Sequence, residues 1–489
     1  MSPSFEDIPR SGFWKRFLIG SALVVFATAS ATSVAAFREV DKVVNALKES
    51  ESLSLEGDLA KTNPGKPQTI LLLGSDRRPD DATDGGAGTG ARSDTVILVR
   101  LDPDKGTALM SLPRDLKTEI PGYGTNKLNA AYEEGGPSLT LKTVKRLTGL
   151  PVNHVINVDF NGFKRAVDAI GCIYADIDRR YYNDSAEFAY INVFPGYQRL
   201  CGEEALEYAR FRYEDSDLVR SARQQEILRE AKQQIGAGKL VDNRDRLIRI
   251  FGKYTTSDSE LKSRSAILRL LKLAVFSVDQ PIREVQFKGR LTAGDEGRGI
   301  PSYVIASDAA VQRFSAQFLG VEDTKGPRAL SPDGGKREDG DRDGGLFKSP
   351  ESGKDLAVRT IQKGAGRRLP VYYPTVFLKG SAFDEAPRSY RLKTPGGKIE
   401  RAYRMVFRRD PDGEYYGLQG TTWKKSPILE GDFEKRKSGN RSFEVHYDGD
   451  RVRLVAWRTS RAVYWVSNSL LQTLSERQML AIARSVRLP

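Results

Sequence analysis

Short apolar runs, each closed by a small or acidic residue, punctuate the chain from Gln68 onward. QTILLLGSD (68–76) reads as a buried strand that ends at Gly74, Ser75 and Asp76. SDTVILVRLD (93–102) reads as a second strand, and TALMSLPRDL (107–116) as a third that breaks at Pro113. SLTLKTVKRLTGL (138–150) has helical spacing and stops at Gly149, and HVINVDFNGF (154–163) is a strand that leads into the helix FKRAVDAIG (163–171). Helical patterns continue through 217–275, and strand and helix resume at 280–319. Strands alternating with helices predict an α/β layered domain.

The texture changes at DTKGPRALSPDGGKREDGDRDGGLFKSPESGK (323–354), which has almost nothing to bury and predicts a disordered linker over 321–354. Beyond it, runs such as PVYYPTVFLKG (370–380) and RSFEVHYDGDRVRLVAWR (441–458) alternate around a DGD turn, and SERQMLAIARSV (475–486) closes the chain as a helix. This predicts a small accessory α+β domain over 355–489. It carries no acid or arginine constellation of its own, so a chain ending near residue 322 is expected to keep its activity.

Ahead of these domains lies FLIGSALVVFATASATSVAAF (17–37), uncharged and long enough to cross a bilayer. Trp14, Lys15 and Arg16 precede it, as an interfacial anchor and cytoplasmic flank would. It reads as a single-pass anchor behind a cytoplasmic N-terminus (1–16). A cleaved signal peptide is the alternative. Either way residues 38–489 lie outside the cytoplasm, with 38–66 a polar stalk and 67–320 the main domain. The chain carries 77 Lys and Arg against 64 Asp and Glu, a formal net charge of +13. Outside the membrane that excess favours lipid phosphates and cell-wall polymers over nucleic acid. Cys172 and Cys201 are the only cysteines. In an oxidising compartment they are expected to form a disulfide, two buried thiols being the other reading.

Candidate chemistry gathers at the predicted strand ends. Asp76 closes the first strand and Asp94 opens the second. Such acids either cap loops or share a hard cation such as Mg²⁺. Arg92 and Arg114 also sit at strand ends, where open α/β sheets bind ligands. ALEYARFRYEDSDLVRSARQQEIL (205–228) crowds further arginines together. Arg210 and Arg212 have period-two spacing, whereas Arg220, Arg223 and Gln224 share one helix face. That face continues into Ile227 and Ala231, so its basic end points inward. Asp217 stands where this helix begins and could simply cap it. Guanidinium forks grip phosphate oxygens, and several together can hold a pyrophosphate. His154 and His446 belong to no visible triad and read as structural.

LLLGSDRR, ARSDTVILVRLD, MSLPRDL, KLNAAYEEGGP, VDFNGFKRAVDAIG and ALEYARFRYEDSDLVRSARQQ, in that order over about residues 67–315, resemble the signature blocks of the LytR–CpsA–Psr family. The resemblance implies an α-β-α sandwich around a mixed central sheet. It implies transfer of a glycopolymer from a polyprenyl-pyrophosphate carrier to a cell-wall acceptor, usually peptidoglycan. By that resemblance Asp76 and Asp94 match Mg²⁺ ligands. Arg92, Arg114, Arg210, Arg212 and Arg220, with Gln224 beside them, match pyrophosphate-binding residues. Asp217 matches an active-site acid, and Asp94 or Asp217 is the candidate proton acceptor, with Arg92 beside the chemistry. A prenyl-tail channel is expected next to the cluster, lined by the helices at 138–150 and 260–276. The rivals are a non-catalytic carrier-lipid binder, a pyrophosphatase, and a membrane-bound transcriptional attenuator.

Overall fold

The computed structural model of the protein describes residue 45 and residues 52–75, 93–185, 190–211, 216–234, 243–273, 282–294, 302–321, 345–360, 369–410, 414–448 and 451–489, short gaps inside these spans excepted. The chain begins with β1 (Ser52–Leu53), β2 (Gln68–Ser75), β3 (Ser93–Asp102) and β4 (Gly106–Leu112), then a hairpin of β5 (Lys117–Ile120) and β6 (Gly124–Lys127). Helix α1 (Ala130–Thr148) leads to β7 (His154–Asp159), α2 (Phe160–Ala169), β8 (Ile173–Ile177), a second hairpin of β9 (Tyr181–Asn183) and β10 (Ile191–Val193), and β11 (Gly196–Leu200). Then come α3 (Gly202–Arg210), α4 (Asp217–Gln234), α5 (Arg244–Tyr254), β12 (Thr255–Asp258), β13 (Ile282–Val285), the short pair β14 (Arg290–Leu291) and β15 (Val304–Ile305), and α6 (Asp308–Leu319).

Seven strands form one mixed sheet in the order β1-β12-β7-β2-β3-β4-β13. Its two faces follow from strand alternation. Val155, Leu71, Leu98, Met110 and Val285 are neighbours across the sheet. All five are buried in one apolar core with Leu141 and Val144 of α1 and Val311, Phe314 and Phe318 of α6. The other face carries the cross-strand row His154, Ile70, Val99, Leu109 and Glu284. Arg229 of α4 reaches Glu284 at 2.9 Å, which places α4 over that face. Helices therefore cover both sides, the α-β-α sandwich expected from the sequence.

Two boundaries differ from expectation. The segment assigned to a stalk joins the fold from Ser52: β1 pairs with β12, Leu55 is buried, and Asn153 donates to the carbonyls of Ala60 and Lys61. The segment assigned to a linker is structured from Leu346, because Leu346 and Phe347 pair with Leu378 and Phe377. Helix α1 also starts earlier than its periodicity implies and bends at Gly135–Gly136, where Gly136 has φ 60° ahead of Pro137. Residues 17–37 lie outside the described residues. Among the described residues no helix is long and apolar enough to cross a membrane.

The C-terminal unit contains β16 (Leu346–Lys348), α7 (Pro350–Thr360), β17 (Val376–Leu378), β18 (Ala382–Phe383), β19 (Arg388–Lys393), β20 (Ile399–Asp410), β21 (Glu414–Thr421), β22 (Glu434–Ser438), β23 (Arg441–Asp448), β24 (Arg451–Arg458), β25 (Val463–Ser467) and α8 (Glu476–Arg484). Strands β18 to β25 make one antiparallel sheet, and α8 packs on it in a core with Tyr403, Phe443, Trp457 and Tyr464. This is the α+β unit that the alternating runs predict.

A buried seam joins it to the N-terminal unit. Arg404, fully buried, donates to both oxygens of Asp176 at 3.1 and 3.2 Å, and Trp465 Nε1 donates to Asp176 at 2.9 Å. Tyr174 and Tyr197 pack with Leu392, Ile428 and Trp465 in one cluster. At Gly196, φ is +107° and a Cβ would meet Tyr390 Oη at 2.6 Å, so this contact needs glycine. Breaking a buried ion pair such as Asp176–Arg404 costs about 3–5 kcal/mol. The C-terminal unit is thus built into the molecule rather than tethered to it.

Candidate anion-binding site at the sheet edge

Strands β2, β4, β7 and β13 are mutually parallel or lie parallel across β3, so their C-terminal ends share one edge with the start of β3. At that edge Gly74 pairs with Thr95 and Ser75 with Ser93, so the register skips Asp94. The bulge at Asp94 interrupts the ladder where loops take over from strands, a placement common beside active sites. Asp76, Arg92 and Arg212 lie outside the described residues, and the side chain of Asp94 is likewise not described.

Three other sequence-selected residues meet here. Arg114 follows β4 directly, while Asp217 and Arg220 occupy the first turn of α4. Asp217 Oδ1 lies 3.6 Å from Arg114 Nε and is also paired with Arg220. Its Oδ2 accepts the backbone N–H of Asp115 at 3.1 Å. All three side chains are at least nine-tenths buried. One carboxylate therefore holds two guanidinium groups side by side, against their repulsion. Gln224, one turn along α4, is buried as well.

Arg210 ends α3 and lies over the Phe160 ring, 4.1 Å from its centroid. Phe160 opens α2 directly after Asp159, whose carboxylate caps that helix by accepting from Gly162 N at 2.6 Å. Burial pushes the Asp159 carboxyl above the ordinary carboxylate range, opposed by the backbone N–H groups of Gly162 and Asn161. Arg210 makes no ion pair among the described residues, and its buried Nε has no hydrogen-bond partner there. A guanidinium held over an aromatic ring, its Nε without a partner among the described residues, suits an incoming oxyanion.

Arg223 is a different case. It is fully buried, donates to the Phe211 carbonyl at 2.6 Å and lies over Tyr181, 4.7 Å from the centroid. It secures the chain just after Arg210. Sequence reading did not select Asp115 and Lys127, yet they complete the cluster: Asp115 Oδ1 lies 3.7 Å from Arg114 Nε and 3.3 Å from Lys127 Nζ. Their signal was present in the MSLPRDL and KLNAAYEEGGP blocks. Arg114 and Arg220 thus share the Asp217 carboxylate, and Asp115 is shared between Arg114 and Lys127.

The remaining candidates are structural. His154 is buried against Asp258 at 3.3 Å, and His446 is buried beside Glu444. Cys172 and Cys201 are joined as a disulfide, with Cα atoms 4.4 Å apart. It ties the turn after α2 to the N-cap of α3, the helix that delivers Arg210. A cavity of about 40 Å³ at the seam is lined by Asp176, Glu226, Arg229, Glu284 and Arg453. It has room for water. It belongs to the far half of α4, about 13 Å along the helix from Asp217.

A mixed, helix-covered sheet with arginines converging on its strand ends defines an α/β protein of the class that binds ligands at that edge, and guanidinium forks there suit phosphate oxygens. The chain belongs to the LytR_cpsA_psr family, whose profile matches residues 26–317. It is 34% identical over 222 residues to "Polyisoprenyl-teichoic acid--peptidoglycan teichoic acid transferase TagU" of Bacillus cereus, covering 44% of this chain and 68% of the relative. The Enterococcus faecalis protein of the same name is 33% identical over 230 residues, covering 46% and 72%. Among solved structures, the crystal structure of B. subtilis TagV is similar over 53% of this chain and 98% of that chain, at 26% identity and TM-score 0.43.

Proposed function

We propose that this protein is an extracytoplasmic transferase that moves a glycopolymer from a polyprenyl-pyrophosphate carrier onto a cell-wall acceptor such as peptidoglycan. The carrying observation is the convergence of Arg114, Arg210 and Arg220, from three separate elements, on one strand-end edge: Asp217 pairs with Arg114 and Arg220, and Arg210 lies over Phe160 beside the end of β7. The related teichoic acid transferases give the direction of transfer, and segment 17–37 supplies the membrane anchor.

In this reading Arg114 and Arg220 grip one phosphate of the carrier, Arg210 reaches the other, and Gln224 donates beside them. Arg92 and Arg212 join the same pyrophosphate. An acceptor sugar hydroxyl attacks the phosphorus that bears the glycan. The bond from that phosphorus to the bridging oxygen breaks, and polyprenyl phosphate leaves with the electron pair. The guanidinium groups neutralise charge as it builds on the bridging oxygen. The hydroxyl proton passes to a carboxylate at the edge. Asp94 is the candidate, because both oxygens of Asp217 are engaged.

Hard carboxylate oxygens are the donors Mg²⁺ takes, and Asp94 at the bulge with Asp76 directly after β2 fits that chemistry. When bound, the ion would neutralise pyrophosphate charge. The prenyl tail would run beside α1.

Binding by the purified protein tests the site. Polyprenyl pyrophosphate should bind at least about tenfold more tightly than polyprenyl monophosphate, and Arg220→Ala should remove the difference. Equal affinity for the two lipids would refute the pyrophosphate assignment.

A further inference from the structure

The β9–β10 hairpin turns opposite faces to the protein and to solvent. Tyr181, Asn183, Ile191 and Val193 are buried on its inner face. On the outer face Tyr182 pairs across with Asn192, flanked along the second strand by Tyr190 and Phe194. These three rings are 42%, 62% and 40% exposed, on a surface where strands usually carry Thr, Lys or Glu.

Their neighbours hold them still. Tyr182 and Tyr190 meet edge to face with centroids 6.4 Å apart. Tyr182 Oη donates to Asp184 at 2.9 Å, and Asn192 Nδ2 donates to Tyr190 Oη at 3.3 Å. Arg180 donates to Asn192 at 3.1 Å while its guanidinium lies over both Tyr182 and Phe194. From the C-terminal unit Arg388 covers Phe194 at 5.0 Å and donates to the Pro195 carbonyl. The outcome is an exposed cluster of aromatic rings, Tyr182 and Tyr190 nearly at right angles to each other, interleaved with an amide, a carboxylate and guanidinium groups. From Tyr190 to Phe194 it spans about 13 Å, enough for more than one sugar ring.

The hairpin packs, through its inner face, on the elements that carry the arginines. Tyr181, on the same strand, meets Phe211 edge to face and lies beneath Arg223. The carboxylate of Glu207 in α3 accepts the backbone N–H of Asn192. Arg210 ends that same helix.

We propose that Tyr182, Tyr190 and Phe194, framed by Arg180, Asn192 and Arg388, form a docking platform for an acidic glycan strand, the acceptor of the transfer. Pyranose C–H groups pack on exposed aromatic rings, Tyr190 being the most exposed of the three, and the amide and guanidinium groups match hydroxyl, acyl and carboxylate groups. A membrane contact fits less well, because it would strip water from Asp184 and from hydroxyls that are already paired. The proposal rests on the transferase reading for its role in the reaction, but its binding chemistry is tested alone.

The test is co-sedimentation of purified protein with insoluble peptidoglycan sacculi stripped of other polymers. The double variant Tyr182→Ala/Tyr190→Ala should lose about tenfold in affinity. Phenylalanine at both positions should retain most of it, and polyprenyl pyrophosphate binding should not change. Unaltered sacculus binding by the alanine variant would overturn the platform. So would intact sacculus binding with lost attachment to anionic phospholipid vesicles, which would make the rings a membrane contact. Transfer is read separately: ring-dependent sacculus binding by a wild-type protein that transfers nothing would overturn the transferase reading and leave the platform standing.

Discussion

At the residue scale, Asp217 decides what the arginines can do. Its two oxygens serve Arg114, Arg220 and the Asp115 amide, so its charge is spent on holding donors in place. Asp217→Asn should therefore weaken polyprenyl-pyrophosphate binding about tenfold, as two charge-assisted contacts are lost and the guanidinium groups separate. A proton acceptor would behave differently. Its removal would leave carrier affinity intact and slow transfer about 10²–10⁴-fold. Carrier titration beside single-turnover transfer distinguishes the two, and unchanged affinity would return Asp217 to the role of base. The bland alternative for this residue, a helix cap, captures only its position at the head of α4.

At the element scale, α4 links two environments. Its first turn faces the anion site, and its second half is buried under the C-terminal unit. Glu226 there accepts from Tyr208 Oη at 2.6 Å and faces Arg229, Glu230 and Asp178. Burial, opposed by Arg229 and the Tyr208 hydroxyl, pushes its carboxyl from 4.5 up to about 8. Burial likewise raises Glu284. The fold keeps a proton on Glu226 that the unfolded chain releases between about 4.5 and 8, so stability falls as pH rises through that window. Glu226→Gln should flatten part of this decline in urea melts from pH 5 to 9. Identical pH profiles for the variant and wild type would contradict it. Apolar periodicity revealed the sheet, the helices and the inward tilt of Arg220 and Gln224, because burial alternates with the backbone. It turned Arg223 inward with them but could not reveal that it serves Phe211 and Tyr181, which lie 12 and 42 positions away. The edge contacts of Asp115 and Lys127 were hidden for the same reason: they depend on where loops close, not on local spacing.

At the scale of the whole molecule, the seam joins the two units through a buried ion pair and a shared aromatic cluster. The sequence suggested a detachable accessory domain because the composition break at 323–354 is strong and seam residues such as Asp176, Tyr197 and Arg404 look unremarkable in isolation. A chain ending near residue 322 would strand Asp176 without Arg404 and Trp465, and Glu230 without Arg453 at 2.9 Å. It should aggregate, or melt well below the full chain in circular dichroism. An equally stable, soluble fragment would contradict the seam's importance. The function rests on the same whole: α3 and α4 bring the arginines to one sheet edge, and the C-terminal unit buries the rest of α4. The most direct test is transfer of a labelled lipid-linked glycan to purified peptidoglycan by the full chain and by Arg210→Lys. The wild type should yield glycan covalently joined to peptidoglycan and release polyprenyl phosphate. Arg210→Lys should fall by at least about tenfold, since an ammonium keeps the charge but loses the planar fork. Equal transfer by both proteins, or release of glycan to water whether or not peptidoglycan is present, would contradict the account.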